Sequence, residues 1–158
     1  MIRNAFFSPD RAHRLWLYRG WDERKPYVFY VGLNPSKADH KVDDMTVKKG
    51  IGFAEILGCG SAYFANAHSL ISTDPKRLYG APDAIHPDTD RYLLSLAVGA
   101  YRLIVCWGAF PKFDQRFNAV SDLLARYSPK CFGRTRNGYP HHISRIAYST
   151  PLEDWRRP

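Results

Sequence analysis

The sequence predicts a single three-layer α/β/α domain over residues 1–158, built on a mostly parallel central sheet. Three observations predict it. Unbroken apolar runs such as "YVFYVGL" and "YRLIVCWG" read as strands covered on both faces. These runs alternate with segments of helical spacing, the order that builds parallel strands joined by crossover helices. A chain of 158 residues, 45% hydrophobic and 24% charged, can bury one real core and is short for two domains.

The elements follow in order. "HRLWLYRGW" (13–21) alternates apolar with polar residues, as a half-exposed edge strand would, and Gly20 with "DERKP" turns the chain. "YVFYVGL" (27–33) is apolar on both parities and predicts a central strand. In "DDMTVKKGIGFAEILGCG", Val47, Ile51, Ala54 and Leu57 recur at helical spacing, with Asp43 or Asp44 as cap and Gly58 or Gly60 as terminator. "SAYFANAHSL" predicts a second buried strand that ends near Asn66 and His68. "STDPKRLYGAPDAIHP" is a loop by its three prolines and Gly80, and loops of that length usually serve a purpose. A helix in "DTDRYLLSLAVGA", a strand in "YRLIVCWG", a helix in "KFDQRFNAVSDLLARY" and a short last strand in "KCFG" complete the domain.

Charge narrows the partner class. The formal net charge is +8, and no acidic residue occurs between Asp122 and Glu153, where Arg126, Lys130, Arg134, Arg136 and Arg145 gather with His141 and His142. Such a surface favours phosphate-bearing partners, a nucleotide or nucleic acid, over acidic proteins. A basic face kept only for solubility is the plainer explanation of the same charge. No apolar run approaches the roughly 20 residues of a membrane span, and "MIRNAFFSPDRAHR" lacks a secretory apolar segment, so a cytoplasmic location without membrane association is expected. Cys59, Cys106 and Cys131 form no CxxC pair and read as reduced thiols; no cofactor is expected.

In an open α/β sheet the ligand sits beyond the carboxyl ends of the strands. That points to Asn34–Asp44, Asn66–Ser72, Trp107–Phe110 and Gly133–Ser144. The stretch "GLNPS" stands out: Gly32 permits close backbone approach, Pro35 fixes the chain, and the Asn34 amide can both donate and accept. A turn with a self-bonded asparagine explains the same residues. Asn66, at the end of a neighbouring strand, adds a second carboxamide that could converge on the same ligand. Asp39, His40, Asp43 and Asp44 offer oxygen and imidazole ligands for a divalent metal, or else a helix cap with solvated neighbours.

The segments "VGLNPSKAD", "DDMTVKKGIGFAE", "FANAHSLIST", "IVCWG" and "GRTRNGYPHHI", in this order, resemble the domain-of-unknown-function family numbered 1643. Its closing motif reads Gly-x-Pro-x-His-Pro, and Ile143 stands where the last proline would. More distantly the chain is similar to the uracil-DNA glycosylase superfamily, an α/β/α fold. Gly32, Leu33, Asn34 and Pro35 match the Gly-Ile-Asn-Pro-Gly motif of its mismatch-specific branch, with Ser36 in place of the last glycine. That resemblance implies that Asn34 handles the attacking water, that Asn66 reads the base, and that Trp107 and Gly108 close a later strand. His141 or His142 would face the departing base, although the Pro-Ser that follows the histidine in that superfamily is absent. Branches with an iron–sulfur cluster are set aside, since they need four cysteines.

What the resemblance implies chemically is cleavage of an N-glycosidic bond. His141 or His142, helped by arginines, would stabilise the leaving base, and Phe53, Phe64 or Trp107 would stack on it once extruded. Apart from the resemblance, Asp44 is expected to line the same cleft as a catalytic candidate, and the basic segment is expected to bind phosphates through Arg134 and Arg136. Asn34→Asp is expected to preserve the reaction, because a carboxylate can also hold water and stabilise positive charge on the sugar. Two other readings stay open: a metal-dependent phosphoester hydrolase and a non-catalytic nucleotide or nucleic-acid binding module.

Overall fold

The apolar runs become strands and the periodic segments become helices. The computed structural model describes residues 1–158 and orders its elements as β1 (Ile2–Phe7), β2 (Arg14–Gly20), β3 (Tyr27–Gly32), α1 (Met45–Ile56), β4 (Ser61–Asn66), α2 (Thr89–Gly99), β5 (Arg102–Val105), α3 (Asp114–Leu124), β6 (Lys130–Cys131) and β7 (Glu153–Asp154). All seven strands join one sheet in the order β1-β2-β4-β3-β5-β6-β7.

That sheet is mixed rather than mostly parallel. β4, β3, β5 and β6 run parallel, whereas β1, β2 and β7 pair antiparallel with their neighbours. The expected edge strand β2 is interior, because β1 pairs along its outer side and takes the edge. Its alternating pattern misleads because two of its polar residues, Arg14 and Arg19, are themselves buried.

β3 sits at the centre, and the chain leaves it in one direction to β4 and then crosses back to β5 on its other side. Right-handed crossovers running in opposite directions put their helices on opposite faces. Accordingly Val28, Tyr30, Phe64 and Ile104 pack with Val47, Phe53 and Ala54 of α1. Their alternates Phe29, Val31, Leu103 and Val105 pack with Leu93 and Ala97 of α2 and with Phe117, Val120 and Leu124 of α3.

Asp44 caps α1, its side chain accepting from the Val47 amide, and Gly58 with φ +78° follows the last turn. Gly50 is demanded by packing: a Cβ there would lie 2.4 Å from Phe64 Cε1. Residues 72–87 form the expected loop, interrupted by one helical turn at Pro75–Leu78 that Asp74 caps. After β6, Trp155 returns to the α3 face, donating to Ser121 Oγ at 3.0 Å with its ring edge-on to Trp107. No helix is long and apolar enough to cross a membrane.

His68 lies in this interior, 4.6 Å from the Phe113 ring, with Nδ1 buried and unpartnered. Burial, helped by Arg116, pulls its pKa down to about 4. Because the folded value is below the unfolded value near 6.5, stability is full above pH 6.5 and falls as pH drops toward 4. The loss is about 3 kcal/mol over that window. Urea midpoints measured at pH 7 and pH 4.5 should show it, and His68→Gln should flatten the difference.

Candidate functional site

A cavity of about 250 Å³ opens at the carboxyl edge of the parallel strands. The end of β3 and the turn after it supply Gly32 to Ser36, β4 supplies Asn66, β5 leads into Cys106 and Trp107, and the 133–144 segment delivers His142. Asp44, Thr46 and Val47 contribute the start of α1. This is the crevice beside the strand where the connections reverse direction, where the sheet topology opens a gap. A wider hollow of about 570 Å³ lies beside Ser128–Lys130, at the opposite edge, and only two of its ten lining residues are hydrophobic.

Asn34 is built into this wall by its own amide. Nδ2 donates to the carbonyls of Ser72 (2.9 Å), Pro35 (3.1 Å) and Leu70 (3.4 Å). Three carbonyl acceptors fix which end of the amide is nitrogen. Oδ1 makes no hydrogen bond within the protein and is the acceptor left to a ligand. The self-bonded asparagine turn is therefore formed, and the same side chain lines the cavity.

Asn66 presents the complementary group. Its Nδ2 lies over Gly32, where a Cβ would come within 2.9 Å of it, so the glycine makes room for this carboxamide. Its Oδ1 lies 3.5 Å from Arg14 Nη2. Nδ2 has no acceptor within the protein.

His142 stands opposite, and its tautomer follows from its neighbours. The Ser144 amide donates to Nδ1 at 3.2 Å, with Ser144 Oγ 2.6 Å from the same nitrogen. A backbone N–H can only donate, so Nδ1 carries the lone pair and Nε2 the proton. Burial and nearby Arg145 lower the His142 pKa, against a weaker opposite pull from Asp44, which keeps the ring neutral at pH 7. His141 does not line the cavity; it packs over Gly133, a Cβ on which would meet its Cδ2 at 3.3 Å. Gly108 lies behind the wall with φ +81°, and a Cβ there would touch Phe110 and His142.

Several expected residues serve elsewhere. Trp107 borders the cavity, but its ring is buried and stacks on Phe117 at 4.8 Å, so it offers no face to a base. Phe53 packs against Phe132 at 4.2 Å, away from the cavity. Phe64 does line it, stacked on Tyr30 at 5.1 Å. The available aromatic is Phe110, half-buried at the mouth, within the strand-end segment that the sequence singles out. Arg134 is committed to the chain's last residues: it pairs with Glu153, donates to the carbonyls of Asp154 and Arg156, and covers the Trp155 ring at 4.5 Å. Arg136 is exposed and does not reach the cavity, whereas exposed Arg145 borders it.

The aspartates do not converge. Asp43 pairs with Arg19 at 2.8 Å and Arg3 at 2.9 Å, and Asp39 accepts from the Lys41 and Val42 amides. Asp44 Oδ1 caps α1 while Oδ2 accepts from Ser36 at 3.2 Å. No three His, Cys, Asp or Glu side chains group as metal ligands. The residue that the sequence did not mark is Arg14. It is 5% exposed, lines the cavity and donates to the Ala38 carbonyl at 2.8 Å; burial brings its pKa down to about 10 against the pull of Asp44. Only the burial of a strand arginine distinguishes it, and that is invisible in an alternating pattern.

The Asn34 geometry adds a stability cost to Asn34→Asp that the sequence alone does not reveal. A carboxylate there would face three carbonyl oxygens without a proton to offer. Both Asn34→Asp and Asn34→Ala should lose about 1–3 kcal/mol at pH 7, the cost of leaving buried polar groups unpaired. The Asp variant should recover as pH falls and its carboxyl gains a proton. Thermal melts at pH 5 and pH 7 separate the two.

Comparison with known proteins adds the family and nothing finer. No curated protein and no solved structure matches the chain. The family model described as "Protein of unknown function (DUF1643)" matches residues 14–142, more than four fifths of the sequence. The match begins on the buried Arg14 and ends on His142, so it takes in every residue of the cavity lining except Ser144 and Arg145: the chain belongs to the DUF1643 family.

Proposed function

We propose that the chain binds a nucleobase of a nucleotide or nucleic acid and hydrolyses its N-glycosidic bond, on a three-layer α/β/α scaffold of the uracil-DNA-glycosylase kind. The observation that carries this reading is the convergence of Asn34, Asn66 and His142, from three separate strand ends, on one small cavity. Its volume of about 250 Å³ falls just below the ~300 Å³ at which pockets for drug-sized ligands begin, which suits one ring rather than a whole nucleotide. The scaffold part rests on α1 packing against one face of the sheet and α2 with α3 against the other.

Breaking the bond builds positive charge on the sugar and negative charge on the base. Asn34 Oδ1 accepts a hydrogen bond from water and holds it toward the sugar carbon. Asp44, the one carboxylate in the lining, receives the proton that this water releases. Asn66 Nδ2 and His142 Nε2–H donate to the base, and because His142 is neutral and fixed as a donor, it strengthens its bond as charge develops. Phe110 supplies a ring at the mouth and Arg145 a cation for a phosphate. A second reading, a binding module without turnover, draws on the Asn34 amide being engaged in holding the 70–72 segment.

Release of free base from oligonucleotides bearing uracil, hypoxanthine or mismatched thymine, and from nucleosides and nucleotides, tests the proposal, with chelator as a control. His142→Ala should slow release about 10²–10³-fold, as loss of an oxyanion donor does. Arg145→Gln should reduce the salt dependence of nucleic-acid binding by about one counterion. Salt-dependent binding with no release from any substrate would move the assignment to the binding module. Release abolished by chelator would move it to the metal-dependent hydrolase.

A further inference from the structure

Two arginines of β2 are buried, and their circumstances differ. Arg19 pairs with Asp43 at 2.8 Å and donates to the carbonyls of Tyr18, Asp39 and Val42. Arg14 forms no ion pair. Its Nη1 donates to Ala38 O, its Nη2 lies at the long distance of 3.5 Å from Asn66 Oδ1, and its Nε is buried with no partner. A guanidinium taken out of water without a counter-ion is costly, and an anionic group bound beside it would offset that cost. The cavity lining carries the guanidinium groups of Arg14 and Arg145 against the single carboxylate of Asp44, a surplus of one positive charge. Asp44 attracts Arg14 from a distance but forms no ion pair with it, and its oxygens accept instead from the Val47 amide and Ser36.

We infer that Arg14 makes the inner wall of the cavity an anion site, which takes a ligand group carrying or developing one negative charge. Resting on the hydrolysis proposed above, that group is the departing base. The carbon–nitrogen bond breaks with its electron pair going to the ring nitrogen, and the charge spreads onto the ring's carbonyl oxygens, where Arg14 and Asn66 donate. Water adds its oxygen to the sugar carbon and its proton passes to Asp44. The base departs as an anion and takes its proton from solvent afterwards. Arg14 thereby selects bases with carbonyl groups able to hold negative charge over those whose edges present amino donors.

The test uses free bases of rising acidity: uracil, 5-fluorouracil and 5-nitrouracil, titrated calorimetrically at pH 8 into the wild-type chain, Arg14→Lys and Arg14→Gln. Wild-type affinity should rise about tenfold or more across the series, the gain of one charge-assisted hydrogen bond. The rise should persist in part in Arg14→Lys and vanish in Arg14→Gln. Affinity that ignores acidity in the wild-type chain overturns the inference even if Arg14→Gln does not fold, while leaving a base-binding cavity in place. Inorganic phosphate is the second probe, read by thermal shift. Stabilisation of wild type and Arg14→Lys but not Arg14→Gln, with no base bound, supports the anion site and removes the nucleobase reading. No Arg14-dependent response to either probe overturns it.

Discussion

The loop from Leu33 to Asp44 has almost no regular structure, yet it supplies five of the 22 residues that line the cavity, and what fixes it is a pair of guanidinium groups from β2, two places away in the sheet. Arg14 ties down Ala38, and Arg19 ties down Asp39, Val42 and Asp43. Through Asp43 the second tether sets where α1 begins, and so where Asp44 and Ser36 meet. A loop anchored from the sheet in this way depends on burying positive charge, which is tolerable only while each carbonyl and carboxylate stays in place. Position and electrostatics of the cavity are thus consequences of one strand, β2, that contributes a single lining residue.

On the proposed function, structural and chemical duties are shared within the same side chains. One half of the Asn34 amide braces the segment after β4, and the other half faces the cavity. His142 accepts from the turn it starts and so presents a proton on its far nitrogen. Asp44 caps a helix with one oxygen and leaves the other to Ser36. Groups held by their unused ends need little reorganisation when a ligand arrives, which is the source of preorganised electrostatic stabilisation.

Much of this was legible in the residues. Runs apolar on both parities located β3, β4 and β5, and helical spacing with an Asp cap located α1. The strand-end rule then led to Asn34, Asn66 and the 133–144 segment. What escaped depended on partners distant in sequence. Nothing local in Ile2–Phe7 announces a strand, because its stability comes from pairing with β2. β7 is two residues long and exists by pairing with β6. Trp107 and Arg134 look equally fit for a ligand or for the core, and Phe117 and Trp155, brought in by folding, decide for the core. Arg14 shows the opposite error: a polar residue in an alternating strand reads as solvated, and only the surrounding fold buries it.

The proline after Asn34 has a consequence for the longevity of the site. Asparagine ages mainly by cyclising onto the backbone nitrogen of the next residue, a route that ends in aspartate, and it needs that nitrogen to carry a hydrogen. Pro35 has none. The spontaneous change that would set a negative charge against three carbonyl oxygens is therefore blocked by the chain itself, and the carboxamide outlasts conditions under which an exposed Asn-Gly would be lost.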